Sequence, residues 1–188
     1  MERAGVATAA TMAVLIAAVR SANAGPPPDP PLALLGFVAV YAAPALLGAV
    51  GLRRAAGAPY AAGALVAAGL AFTSFSLVTV PHLIPALLLG VAAARTGAWT
   101  IVRTFAALAS TAMLIAAWLA LVAWRETTCF STALRSGCGE TMTTQGGLGA
   151  LALTAAAIGL ALATTRTSPR PIIPGDGAAA DPREPGHV

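Results

Sequence analysis

Residues 55–94 read AAGAPYAAGALVAAGLAFTSFSLVTVPHLIPALLLGVAAA, forty consecutive residues without an ionised side chain. A single helix of that length would extend about 60 Å, roughly twice the ~30 Å thickness of the hydrocarbon core of a bilayer. A soluble chain of 188 residues could not bury several stretches of this kind. The stretch therefore predicts a multi-pass membrane protein in which this segment turns back on itself.

The overall composition also indicates a membrane protein. Hydrophobic residues make up 57% of the chain and charged residues 10%, against roughly 45–50% and 25% in soluble domains. The net charge of +4 could indicate nucleic-acid binding, but the arginines lie at the ends of apolar runs, where they act as a topology signal. We therefore expect the lipid bilayer as a partner and no nucleic acid.

Six apolar segments are predicted to form an all-α transmembrane helical bundle over residues 1–165. Pro81 and Pro85 place a turn between the third and fourth segments, because proline is favoured in the first turn of a helix. The alternative is a single proline-kinked helix with a long cytoplasmic extension. The fourth segment would extend only about 22 Å, which is short for a span. The predicted spans are residues 4–20, 32–52, 60–77, 80–94, 104–124 and 147–165.

Two terminal segments need separate interpretation. Residues 4–19 are followed by an A-x-A pattern at Ala22 and Ala24, which is typical of a cleaved signal peptide. The start of the chain is only weakly basic, and this favours an uncleaved first helix; cleavage would leave five helices. Residues 166–188 are rich in proline, glycine and charge, and they predict a disordered cytoplasmic tail.

The distribution of arginine predicts the orientation. Alternating spans place eight arginines on one side and three on the other, and the positive-inside rule assigns the larger set to the cytoplasm. Both termini are then cytoplasmic. The absence of lysine and the abundance of alanine and arginine are typical of a GC-rich bacterial genome, so we expect the membrane to be the plasma membrane (inner membrane) of a bacterium. The predicted outer side contains three arginines and three acidic residues, so it carries no net charge. The outer residues are Arg20, Arg125, Arg135, Asp29, Glu126 and Glu140.

Cys129 and Cys138 fall in one predicted outer loop, residues 125–140. An oxidising compartment favours a disulfide between them. Two thiolates with no nearby histidine cannot complete a tetrahedral zinc shell, so no metal is expected. A redox-active pair and two free thiols remain as alternatives, although the spacing is not the C-x-x-C that lowers a thiol pKa.

The predicted spans contain no carboxylate. All seven acidic residues lie outside them, which argues against proton-coupled transport and against hydrolysis by paired aspartates within the membrane. The sequence also contains no phosphate-binding loop, dinucleotide fingerprint, H-E-x-x-H or G-x-S-x-G motif. We predict no catalytic residue and no cofactor.

Polar side chains near one membrane interface form the remaining candidate site. His82 is interpreted as an interfacial turn residue between Pro81 and Pro85, with a proton acceptor or ligand at an external mouth as the alternative. Thr73 and Ser76 are interpreted as hydroxyls that bridge helices, with a solute path as the alternative.

Residues 75–85, FSLVTVPHLIP, precede a helix closed by Arg95 and a later loop that contains both cysteines. In these features the chain resembles small uncharacterised multi-pass membrane proteins of high-GC actinobacteria. The resemblance implies a plasma-membrane location and assigns no site. We expect a structural or accessory subunit that contacts a membrane protein or a second copy of itself. A small-solute transporter or channel subunit is the second hypothesis, and a thiol–disulfide membrane enzyme is the third.

Overall fold

The computed structural model describes residues 1–22, 28–72, 80–96, 100–131 and 136–166. These residues are predominantly helical, as predicted, but they also contain a β-hairpin where the sequence predicted an irregular loop. The elements are α1 (Glu2–Ala22), α2 (Pro31–Arg54), α3 (Gly57–Phe72), a 3₁₀ turn (Val80–His82), α4 (Leu83–Arg95), α5 (Ile101–Ala123), β1 (Arg125–Ser131), β2 (Ser136–Met142) and α6 (Thr144–Arg166). The tail after Arg166, predicted to be disordered, lies outside the described residues.

Four of the helices are long and apolar enough to cross a membrane: α1, α2, α5 and α6. The 24 residues of α2 extend about 36 Å, which exceeds the thickness of a bilayer core. By contrast, α3 has 16 residues and would extend about 24 Å. Helix length therefore supports membrane crossing for four of the six predicted spans.

Helices α3 and α4 form an antiparallel pair. A Cβ atom on Gly57, at the start of α3, would lie 3.1 Å from Oγ1 of Thr96, just after the end of α4. A Cβ atom on Gly90 would lie 3.9 Å from that of Ala64. The chain therefore doubles back between these helices, and the alternative of one kinked helix is wrong. Pro85 lies in the first turn of α4, where its missing N–H costs no hydrogen bond.

Helix directions alternate along the chain, and this gives the bundle two distinct ends. One end, called the hairpin end, carries β1 and β2 together with the start of α2 and the start of α6. The opposite end, called the arginine end, carries the start of α1 and the ends of α2 and α4. Its arginines are Arg3, Arg53, Arg54, Arg95 and Arg103.

Helix α2 is the centre of the bundle and packs against α1, α3, α5 and α6. Half of its most apolar stretch is buried, compared with 22% for α1 and 33% for α5 and α6. Small side chains dominate the core, which lets the helix backbones approach closely. The core alanines with no exposed surface are Ala33, Ala43, Ala67, Ala117, Ala150 and Ala157.

The outer faces of the helices are also apolar. Val14, Leu87, Ile101, Val102 and Phe105 are each at least 67% exposed. Water would make such a continuous apolar surface unfavourable, at about 25 cal/mol per Å², whereas lipid tails would solvate it. These surfaces support a membrane environment for the bundle.

Candidate functional site

The β-hairpin at the hairpin end contains both cysteines. Strands β1 and β2 are antiparallel, and their register places Cys129 directly opposite Cys138. The two sulfur atoms lie 2.06 Å apart, at disulfide-bond distance, as the sequence predicted. The sequence did not predict the hairpin because its two strands, RETTCFS and SGCGETM, show no regular alternation of apolar and polar residues.

The Asp29 carboxylate joins the hairpin to α1 and to the segment before α2. Asp29 is 7% exposed, and its Oδ2 accepts hydrogen bonds from Nε and Nη2 of Arg20 at 3.0 and 2.6 Å. Its Oδ1 accepts a hydrogen bond from the backbone N–H of Met142 at 2.9 Å. These contacts, called the Asp29 joint, connect the last turns of α1, the segment before α2 and the last residue of β2. The carboxylate is buried, but both of its oxygens are satisfied.

Thr143 connects the hairpin to α6. Its Oγ1 accepts a hydrogen bond from the N–H of Gly146 at 3.1 Å and donates to the carbonyl oxygen of Trp124 at 2.8 Å. The hydroxyl therefore supplies an acceptor to one of the N–H groups that are unpaired at a helix start. This cap explains why α6 begins at Thr144 and not near Gly147, where the sequence placed it.

A cleft of about 440 Å³ lies between the hairpin and the segment before α2. The strand register puts Glu126, Thr128 and Thr141 on one face of the hairpin, and all three line the cleft. Carboxylate, hydroxyl and amide groups of this kind can form hydrogen bonds with a polar surface. The complete lining is Pro28, Pro30, Glu126, Thr128, Thr141, Met142, Thr143, Thr144 and Gln145.

His82, predicted to be an interfacial turn residue, is buried inside the helix bundle. Its residue is 1% exposed, and the centroid of its ring is 5.9 Å from that of Tyr41 in an edge-on contact. Tyr41 is close to the middle of α2 (Pro31–Arg54). The short α4 thus begins at mid-height of the longer central helix, and this carries His82 into the interior. Thr73 and Ser76 lie outside the described residues.

A hydroxyl group bridges two helices in the core of the bundle. The Ser110 hydroxyl on α5 donates to the carbonyl oxygen of Ala157 on α6 at 3.2 Å, in a buried contact between helices. Thr111 instead donates to Ala107 within its own helix at 2.8 Å. The Ser110 hydroxyl therefore bridges two helices, the role that the sequence suggested for Thr73 and Ser76.

The described residues place a polar surface at one end of the bundle. Within the described ranges, no group of three or more His, Cys, Asp and Glu residues could hold a metal ion. The hairpin, the Asp29 joint and the Thr143 cap together hold the polar cleft at one end of an apolar bundle. Comparisons with protein-family models, curated proteins and solved structures found no match, so the function is inferred from this geometry.

Proposed function

We propose that this chain is an integral membrane protein of a bacterial plasma membrane and acts as a structural or accessory subunit. The observation that carries the proposal is the Asp29 joint, which ties a disulfide-closed polar hairpin to an apolar bundle. Because the hairpin is already ordered, binding of a partner to its surface costs little conformational entropy of the hairpin. The partner is another membrane protein or a second copy of the chain.

The charge distribution supports an orientation with the arginine end in the cytoplasm. At the hairpin end, Arg20 pairs with Asp29 at 2.6 Å and Arg125 pairs with Glu140 at 3.3 Å. At the arginine end, no ion pair among the described residues involves Arg3, Arg53, Arg54 or Arg95. Excess positive charge favours the cytoplasmic side. In this orientation both termini are cytoplasmic, and the cysteines face an oxidising compartment.

The proposal includes six membrane-embedded helices. Helices α3 and α4 pack against the bundle as an antiparallel pair, so both must share the environment of the four long helices. Apart from Arg95 at the end of α4, their exposed side chains are apolar, as at Leu65 and Leu87. Their shorter length is accommodated by local thinning of the bilayer or by snorkelling of Arg95.

Site-specific photocrosslinking in cells tests the role of the hairpin surface. A photoreactive residue at Glu126 or Thr141, both in the cleft, should give one discrete crosslinked species. The matched control carries the same residue at Leu87, which is 71% exposed on α4, away from the hairpin. Crosslinking from the cleft should fall when Asp29→Ala releases the hairpin. Equal crosslinking from all positions, or none from the cleft, would contradict the proposal.

A small-solute transporter or channel subunit is the second candidate, and His82 is the observation that favours it. An ionisable side chain within a membrane bundle often marks a solute or ion path, and His82 is buried beside Tyr41 near mid-height. The test is labelling of His82→Cys by a membrane-impermeant thiol reagent in a chain whose native cysteines are serine. Leu89→Cys, at a second buried position, is the control. Selective labelling at position 82 would favour a water-filled path, and protection at both positions would favour a packing role.

A further inference from the structure

A second cavity lies at the arginine end, between α1, α2 and α4. Its volume is about 390 Å³, and its lining is Met1, Glu2, Arg3, Leu52, Ala92 and Arg95. Close helix contacts hold its walls in place. A Cβ atom on Gly48 would lie 2.9 Å from Cγ2 of Val6, and one on Gly5 would lie 3.2 Å from Cβ of Leu88. The start of α1 is thus wedged between α2 and α4.

The cavity is cationic. Arg3 and Arg95 are exposed, and neither forms an ion pair with any described residue. Glu2, the acidic residue in the lining, accepts a hydrogen bond at 3.3 Å from the hydroxyl of Tyr60 on α3. The lining therefore carries two guanidinium groups from different helices and one carboxylate, which accepts the hydrogen bond from Tyr60. Guanidinium groups form strong charge-assisted hydrogen bonds with phosphate oxygens.

An apolar stripe on α4 leads along the helix to Arg95. Ile84, Leu87 and Val91 are 53%, 71% and 40% exposed. Their spacing from Arg95 is eleven, eight and four residues, which places all of them on the same side of the helix. A ligand held at Arg95 could therefore lay a hydrocarbon chain against this stripe.

We propose that this cavity binds the headgroup of an anionic phospholipid. The phosphate diester accepts hydrogen bonds from Arg3 and Arg95, and an acyl chain packs along Ile84, Leu87 and Val91. A soluble phosphate would bind the guanidinium groups but would not contact the apolar stripe. The stripe therefore favours a lipid as the molecule that carries the phosphate group. Basic pockets between membrane helices are a recognised type of binding site for anionic lipids. The proposal requires membrane insertion but does not depend on the accessory role.

The test measures binding of phosphatidylglycerol to the full chain in neutral detergent micelles by native mass spectrometry. The Arg3→Gln/Arg95→Gln variant should bind on the order of tenfold more weakly than the unmodified chain. Arg53→Gln/Arg54→Gln is the matched control, because it removes the same charge from the same end but outside the cavity lining. The control should retain most of the affinity, and phosphatidylcholine should bind weakly to every variant.

Three results would overturn the proposal. Equally weakened phosphatidylglycerol binding in both double variants would show that the lipid is attracted by the overall positive charge of this end and not by a specific site. Unchanged binding in Arg3→Gln/Arg95→Gln would show that the lipid binds elsewhere. Effective competition by glycerol 3-phosphate would show that the cavity selects free phosphate and not a lipid. Circular dichroism checks the helix content of each variant. If the double variant does not fold, Arg95→Gln at its exposed position replaces it, with Arg54→Gln as control.

Discussion

The ion pairs of Asp29 and Glu140 differ in burial, and burial determines how strongly the loss of one partner changes the stability of the protein. The Asp29 side chain is 3% exposed and accepts hydrogen bonds from Arg20 and from the N–H of Met142. The Glu140 side chain is 65% exposed, and its partner Arg125 is 43% exposed. Water solvates the second pair well, so it contributes little. Loss of a partner at Asp29 would instead leave a charge poorly compensated in a buried position.

Arg20→Gln should therefore lower the free energy of unfolding by about 1–3 kcal/mol, because the buried Asp29 carboxylate loses its cation. Arg125→Gln is the control and should change this free energy by less than about 0.5 kcal/mol. Unfolding by sodium dodecyl sulfate in mixed micelles, followed by circular dichroism, measures both values. Adding Asp29→Asn to Arg20→Gln should recover part of the loss. Equal effects of the two arginine substitutions would show that the Asp29 joint has no special energetic role.

At the scale of helices, the contact between α2 and α6 brings backbone against backbone at Gly36 and Gly147. A Cβ atom on Gly36 would lie 2.5 Å from the carbonyl oxygen of Gly147, and one on Gly147 would collide with the backbone of Leu32 and Ala33. Backbone atoms cannot move aside as a flexible side chain can. The absence of both side chains is therefore required for the contact between these two helices.

Gly147→Ala should destabilise the bundle by about 1–3 kcal/mol, because the added methyl group forces α6 away from α2. Gly159→Ala on the same helix is the matched control, since a Cβ there would meet nothing within 4 Å. The control should be neutral or stabilising by up to about 1 kcal/mol, because alanine is the better helix former. The same detergent unfolding assay compares them. A neutral Gly147→Ala would disprove the close packing of α2 on α6.

The hairpin should depend on the cysteine pair, whereas the bundle should not. Cys129→Ser and Cys138→Ser should each lower the stability of the hairpin by about 2–3 kcal/mol in the chain-entropy model, because each removes the same bond across the register. The helices should persist, since their backbone hydrogen bonds are internal. Sequential thiol labelling before and after reduction gives the redox state. Complete labelling before reduction would show free thiols and would remove the support for an outward-facing hairpin.

At the scale of the whole molecule, topology is the main prediction. Reporter fusions after Gly139 and at Val188 should report opposite sides of the membrane, with Val188 in the cytoplasm, because the excess of arginine lies at the end that includes Arg3 and Arg95. A cytoplasmic signal from the Gly139 fusion would exclude this topology.

The first helix should remain part of the protein. Helix α1 is held at one end by the hydrogen bond between Glu2 and Tyr60, and near the other by the Arg20–Asp29 pair. Removal of α1 would leave Asp29 without its cation. Mass spectrometry of the purified chain should therefore detect peptides that contain Met1 or Glu2. A mature protein that starts at Gly25 would show cleavage and reduce the bundle to five helices.

The sequence by itself determined the helical class, the approximate helix positions, the turn before Pro85 and the pairing of Cys129 with Cys138. These features depend on local signals. Apolar segments long enough for a bilayer, prolines at a helix start and two cysteines in one short loop can all be recognised along the chain.

Only the tertiary structure decided how distant residues meet. In an alanine-rich chain, small residues occur on every helix face, so spacing could not distinguish Gly147, which contacts another backbone, from Gly159, which does not. The Asp29 joint connects residues 113 positions apart, and the depth of His82 depends on where the short α4 starts beside α2. Such contacts arise from the lateral packing of helices, and no local pattern in the sequence encodes them.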